Sequence, residues 1–199
     1  MTLIALLAAL SVHDIYTASR AREGRMQSHI IHVAVSEVVG RKPEFLGDTN
    51  SSNILVEFGD YQCPPCKAAN SEVSTLLQDY KGILKLEFRN YPLVGIHPNA
   101  MPAAVLCETA RQEGKFWPAH DRLYAAELDE RTIDDTYKIL KITRHVDGVD
   151  VEKLAKKHID EDIADAMRLG VDSTPTFILI RPDNTVLKMS NVREVREYL

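Results

Sequence analysis

The stretch Glu57-Phe58-Gly59-Asp60-Tyr61-Gln62-Cys63-Pro64-Pro65-Cys66-Lys67 decides how this chain of 199 residues is read. Just upstream, Ile54 to Phe58 is almost unbroken apolar sequence, the pattern of a strand covered on both faces. Just downstream the period changes: Ala69, Val73, Leu76, Leu77 and Tyr80 recur at helical spacing. Pro64 and Pro65 suit a first helical turn, where the backbone donors have no intrahelical partner to lose. The reading is strand, tight turn, helix, with Cys63 at the helix N-terminus and Cys66 one turn inside.

The partial positive charge of a helix N-terminus favours a thiolate, and the thiolate is the form that attacks disulfides. One helical turn brings two sulfurs close enough to close a small disulfide ring. Cys63 is therefore expected to be the exposed nucleophile and Cys66, set deeper, the resolving thiol. The competing account is half a zinc site or an inert pair. Zinc would need two more ligands at suitable spacing, and the sequence holds no second Cys-x-x-Cys. The strand-turn-helix context favours redox chemistry, with no metal and no cofactor.

Around this centre the composition sets bounds. The length suffices for one domain with a sizeable core and an insertion. A net charge of −5 gives no reason to expect nucleic acid or an anionic membrane as a partner. Three cysteines exclude a multi-disulfide scaffold and leave Cys107 over.

Toward the N-terminus, residues 1–18 form an apolar segment in which Leu3 to Val12 is too short to span a bilayer as it stands. It reads as a degenerate signal peptide, the tail of a membrane anchor, or an amphipathic helix. Arg20, Arg22 and Arg25 follow it, which runs against export. Export or anchoring is still the preferred reading. Residues 19–52 read as a connector and approach segment: Met26 to Val39 fits helix or strand, and the polar runs at 40–43 and 47–52 are loops. His29 and His32 read as solvated surface side chains.

Toward the C-terminus, Leu84, Leu86 and Phe88 alternate with Lys85 and Glu87 as a second strand, parallel to the first through a right-handed crossover. A helical region follows. Asn99 is a plausible cap, and Ala100, Ala103, Ala104, Cys107 and Ala110 make a small-residue stripe in which Cys107 is a small buried hydrophobe. Gly114 breaks the helix, Phe116 to Tyr124 makes the next one, and Thr132 reads as the cap of another. Asp147-Gly148 reads as a turn. Val151 to Met167 is the clearest amphipathic helix, ending at Gly170. His120 and His158 lie on or beside apolar stripes and read as packed histidines rather than ligands. Thr176 to Ile180, a turn at 181–184 and Thr185 to Lys188 form a hairpin, and a short helix closes the chain.

This order resembles the DsbA-like branch of the thioredoxin superfamily over Asn53 to Leu199. The resemblance is carried by Val56-Glu-Phe-Gly-Asp-Tyr-Gln-Cys-Pro-Pro-Cys66, His97-Pro-Asn-Ala100, Gly114-Lys-Phe-Trp117 with His120-Asp121, and Gly170-Val-Asp-Ser-Thr-Pro-Thr-Phe177. It implies an α/β, thioredoxin-like fold, a mixed sheet flanked by helices, over residues 53–199, with an inserted helical subdomain at about 98–170. It implies a cis proline at Pro175 beside the dithiol, and a buried acid near the resolving cysteine at Glu57. Cys107 also falls where relatives often place a structural cysteine. It implies exchange of disulfides with protein substrates outside the cytoplasm, with a membrane or soluble redox partner that resets the dithiol. On a buried strand, Glu57 is expected to hold its proton unusually tightly and to pass it to and from Cys66; the alternative is a strand-edge glutamate facing solvent. Thr174 is expected to offer backbone groups to an extended substrate.

The sequence departs from the strongly oxidising members at Pro64-Pro65, where they carry a histidine. Two prolines also remove two backbone donors, leaving the Cys66 amide as the main local donor to Cys63. The potential is expected between about −120 and about −270 mV. That range leaves oxidase, isomerase and reductase open. A non-catalytic peptide-binding or chaperone-like module on the same fold is the alternative function.

Overall fold

The computed structural model describes residues 3–146 and 149–199. Its centre is a five-stranded mixed sheet in the order β1-β3-β2-β6-β7. The strands are β1 (Leu46–Gly47), β2 (Asn53–Gly59), β3 (Leu84–Asn90), β6 (Thr176–Ile180) and β7 (Val186–Met189); β4 (His145–Val146) and β5 (Val149–Asp150) pair separately. β2 runs parallel to β3 and antiparallel to β6, which forms the hairpin with β7. The helix α3 (Pro64–Asp79) makes the β2-to-β3 crossover, as the switch of period anticipates.

Central position explains the composition of β2. Leu55, Val56, Phe58, Ile178 and Leu179 are all fully buried. Alternate side chains feed two cores. Leu55 joins Leu76 of α3, Phe88 of β3 and Phe116 in one. Val56 and Phe58 join Ile178, Val186 and Ala166 in the other. Glu57 shares the parity of Leu55 and so points toward the α3 side. β3 departs from the expected half-solvated alternation: Glu87 is buried, because helices cover that face too.

Between β3 and β6 lie α4 (Ala100–Arg111), α5 (Phe116–Ala125), α6 (Glu130–Leu140) and α7 (Val151–Arg168). Ala104, Val105, Ala155 and Ile159 form the α4–α7 seam. Ala104 lets the two helices approach, while Ala103, Cys107 and Ala110 of the same stripe face the main core, where Cys107 is fully buried. Gly114 takes φ +65°, a left-handed conformation that suits glycine where the chain leaves α4.

Several local expectations are corrected. Asn99 occupies the N-cap of α4 without a side-chain cap bond. Asp129, not Thr132, caps α6, accepting from the Thr132 backbone N–H at 2.7 Å. Met167, placed on the apolar face of α7, is 68% exposed. The Asp147-Gly148 turn lies outside the described residues.

The N-terminal region is more ordered in pattern than a connector. α1 (Leu3–His29) runs without a break across the 18/19 boundary, a four-residue helix α2 (Val35–Val38) follows, and Leu46–Gly47 adds an edge strand. His29 is half-buried rather than solvated. Its Nδ1 lies 3.1 Å from the Lys188 carbonyl and its Nε2 3.4 Å from Glu194, on α8 (Val192–Val195). Ile30 then bridges Leu187 of β7. Among the described residues no helix is long and apolar enough to cross a membrane.

Candidate active site

The C-terminal end of β2 delivers the chain into the turn Asp60-Tyr61-Gln62, and Cys63 is the N-cap of α3. Its backbone N–H donates to the Asp60 carbonyl at 3.1 Å, and its carbonyl accepts from Lys67 at 3.1 Å. Pro64 and Pro65 fill the first two helical positions. Cys66 is fully buried one turn further in, and all three cysteines are free thiols.

Cys63 corrects one expectation: it is only 5% exposed. Its Sγ turns inward and donates to the Thr174 carbonyl at 3.4 Å instead of pointing to solvent. Thr174 and Pro175 are joined by a cis peptide bond just before β6. Thr174 therefore stands beside the dithiol, as the resemblance implies.

The two thiols differ sharply in acidity. The Cys66 thiol hydrogen-bonds to Cys63 and lowers it to about 6; burial opposes this, while Thr174 and the Cys66 N–H assist. Cys66 is pushed up, by giving its hydrogen bond to Cys63, by burial and by the nearby charge of Glu57. Cys63 is thus the more acidic of the two thiols and Cys66 the one that holds its proton.

Glu57 is 2% exposed, and burial pushes its carboxyl up to about 8. Its Oε1 is buried with no hydrogen-bond partner among the described residues. This is the buried-acid geometry and not the solvent-facing strand edge. A carboxyl that titrates near neutral pH beside Cys66 can take up or return the Cys66 proton.

Beneath the dithiol, His120 sits in an aromatic box with Tyr61, Phe88, Trp117 and Tyr124, ring centroids 4.9 to 5.7 Å away. Burial lowers its pKa, so it packs as a neutral ring. His158 lies 3.7 Å from Glu108 in an ion-pair cluster away from the cysteines. Among the described residues no group of three or more His, Cys, Asp and Glu side chains is arranged to hold a metal.

Sequence reasoning missed the residues that hold the turn itself. The Asp60 carboxylate is 1% exposed and accepts from Gln62 N–H at 2.7 Å and Leu93 N–H at 2.8 Å, with His97 Nδ1 at 2.8 Å. Gln62 Oε1 accepts from Asn99 N–H at 2.7 Å. The signal was present, since Asp60 and His97-Pro-Asn sit inside the quoted motifs, but nothing in linear spacing joins them.

Comparison with known proteins agrees with this geometry. Residues 41–195 match the family described as Thioredoxin. A periplasmic thioredoxin-like protein from Salmonella enterica serovar Typhimurium superposes with a TM-score of 0.67 at 18% identity, over 84% of this chain and 95% of that one. DsbA2 from Pseudomonas aeruginosa gives 0.57 at 22%, over 74% and 85%. In sequence, the Na(+)/H(+) antiporter NhaA 3 of Salinispora tropica is 33% identical over 135 residues, 63% of this chain. The chain spans about a fifth of the length of such curated relatives. On the match over residues 41–195, the chain belongs to the thioredoxin family, and it shares the fold of these DsbA-like structures.

Proposed function

We propose that this protein is a thiol–disulfide oxidoreductase acting on protein substrates through Cys63 and Cys66. The observation that carries the reading is the geometry of two free thiols at a helix start, Cys63 capping α3 and Cys66 one turn inside, beside the cis Thr174–Pro175 bond. The Cys63 thiolate attacks one sulfur of a substrate disulfide; the Cys63–substrate bond forms, the substrate S–S bond breaks, and the released substrate thiolate takes a proton. Cys66 then gives its proton to the Glu57 carboxylate and attacks Cys63 Sγ. The Cys63–Cys66 disulfide forms, the mixed disulfide breaks, and the second substrate sulfur leaves as a thiolate that takes the proton back from Glu57. The protein dithiol is oxidised by two electrons and the substrate disulfide reduced. Run backwards, the same steps oxidise a substrate dithiol, and the potential of the Cys63–Cys66 couple sets the direction.

Several features favour a protein substrate. Pro64 and Pro65 are exposed beside Cys63, Thr174 and Pro175 are half-exposed, and the adjoining loop presents Val94 and Ile96 at 60% and 71% exposure. The Thr174 backbone can pair with an extended segment while its cysteine is bound to Cys63. The periplasmic protein of the same fold supports action outside the cytoplasm, where disulfides persist. There a membrane-bound or soluble redox partner would reset the dithiol. Residues 53–199 are taken as the catalytic unit, with 98–170 as its helical insertion and 1–18 as an export or anchoring segment.

The test is trapping. Cys66→Ser should accumulate mixed disulfides with reduced-and-reoxidised model proteins, resolved on non-reducing gels, whereas Cys63→Ser should accumulate none. Equal trapping by both variants would remove the assignment. A non-catalytic peptide-binding module would trap with neither. Equilibration of the wild type against a glutathione series then gives the direction.

A further inference from the structure

Asp60 lies in the turn that leads into Cys63, the residue that must become a thiolate, and its carbonyl accepts from the Cys63 N–H at 3.1 Å. It is fully shielded on the protein side, and its carboxylate receives three donors: Gln62 N–H, Leu93 N–H and the His97 ring. Two of these are neutral amides. His97 alone among the three can bring a positive charge, and its side chain is 16% exposed. The pair is 2.8 Å apart, the Asp60 carbonyl also accepts from the Cys63 N–H at 3.1 Å, and Tyr124 OH reaches the same carbonyl at 3.3 Å.

We propose that the Asp60–His97 pair is a charge-compensation device that sets the thiolate fraction of Cys63. The proposal rests on Cys63 being the nucleophile. With the ring protonated, the ion pair is nearly neutral to Cys63 and the thiolate is tolerated. With the ring neutral, the carboxylate acts unopposed and the proton is held on sulfur. The upward pull that Asp60 exerts on Cys63 agrees with this direction. The other titratable groups around the site are Cys66 and Lys67 on α3, Glu57 on β2, Tyr61 in the turn, and His120 and Tyr124 on α5; burial keeps His120 neutral, and Lys67 turns away to the Ala126 carbonyl. His97 is a positioning residue in this scheme: it acts on sulfur through Asp60 and touches no reacting atom.

A structural role makes a different forecast from a charge role. If the pair only ties the Cys63 turn to the 93–99 loop, removing either partner loosens the same turn and moves Cys63 the same way. Charge compensation moves them oppositely. The experiment is iodoacetamide alkylation of the reduced full chain as a function of pH, with Cys63 followed by peptide mass spectrometry. At pH 6, His97→Gln should slow Cys63 labelling by about three- to tenfold, and Asp60→Asn should speed it at pH 5 by a similar factor. His97→Lys, which keeps a cation opposite Asp60, should label at close to the wild-type rate.

If Asp60→Asn does not fold, the Gln and Lys variants at position 97 decide alone. Shifts of both single variants in one direction, or equal slowing by Gln and Lys, would overturn the proposal. Alkylation reads the thiol and needs no disulfide substrate. A protein that shows these shifts but exchanges no disulfides would refute the proposed function and leave the compensation standing.

Discussion

Glu57 and Glu108 are the same residue type at the same 2% exposure, yet they titrate in opposite directions. Glu57 lies among apolar side chains with an orphaned oxygen, and burial lifts it to about 8. Glu108 on α4 meets the same burial, but His158 and Arg111 outweigh it and hold it below the ordinary carboxylate range. Arg111 Nε donates to it at 2.8 Å and Asn90 Nδ2 at 2.8 Å. Close by, Arg89 is 2% exposed and is paired with Asp162 and Asp165 at 2.8 and 2.5 Å. A buried charge surrounded by donors cements helices to the sheet. A buried acid left without them is chemically available, and here it stands beside a dithiol.

The comparison breaks most visibly at Arg89. Arg89→Ala leaves Asp162 without its cation inside the α7–β3 contact and Asp165 with Arg168 alone. Unfolding in urea should show a loss of roughly 3 to 5 kcal/mol, while Cys63 alkylation in the folded fraction is unchanged.

Glu57→Gln should act with the opposite sign. The unfolded side chain titrates near 4.5 and the folded one at about 8, so the folded state holds the extra proton between those values. Stability attached to Glu57 is full below about 4.5, falls as pH rises, and is lost by about 8. The bound from the shift is about 5 kcal/mol, and water entry and relaxation reduce it. Glu57→Gln should therefore be more stable than wild type at pH 8.5 by about 2 kcal/mol, with little difference at pH 4. Its exchange rate should fall several-fold with little change in potential. Parallel stability curves from pH 5 to 8.5 would mean that Glu57 is paired like Glu108.

Glu108→Gln sharpens the contrast. The stability that Glu108 adds is present above the ordinary carboxylate value and is lost as pH falls through its depressed folded value. The substitution should cost about 1 to 3 kcal/mol at pH 7 and progressively less in acid, seen as converging denaturation midpoints. The smallest effect belongs to Glu72, whose pair with Arg193 is at the surface. Glu72→Ala should change the midpoint least of the four, and the change should fade in high salt.

How much of this was legible in sequence follows from range. The strand-turn-helix around Cys63, the parallel crossover and the Thr176–Met189 hairpin are local patterns, readable because period and turn residues lie within one element. Glu57 was legible as buried because its neighbours Leu55, Val56 and Phe58 are apolar. Glu87 alternates with Leu86 and Phe88 and reads only as the polar side of a strand, and no pattern in the sequence singles out Arg89. Their burial comes from α7, and Arg89 meets Asp162 across 73 positions. The Asp60–His97 contact spans 37 positions and crosses from one loop to another. The half-buried state of His29 depends on β7 and α8, far beyond any helical face it could share with His32.

The central claim is that Cys63 and Cys66 together carry disulfide exchange, with Cys63 attacking. The most direct measurement is the turnover of wild type and Cys63→Ser in two assays, reduction of insulin by dithiothreitol and oxidation of a peptide dithiol by oxidised glutathione. Wild type should accelerate at least one of them, and Cys63→Ser should fall to the uncatalysed rate in both. Rates for Cys63→Ser equal to wild type, or no acceleration by wild type in either assay, would contradict the account.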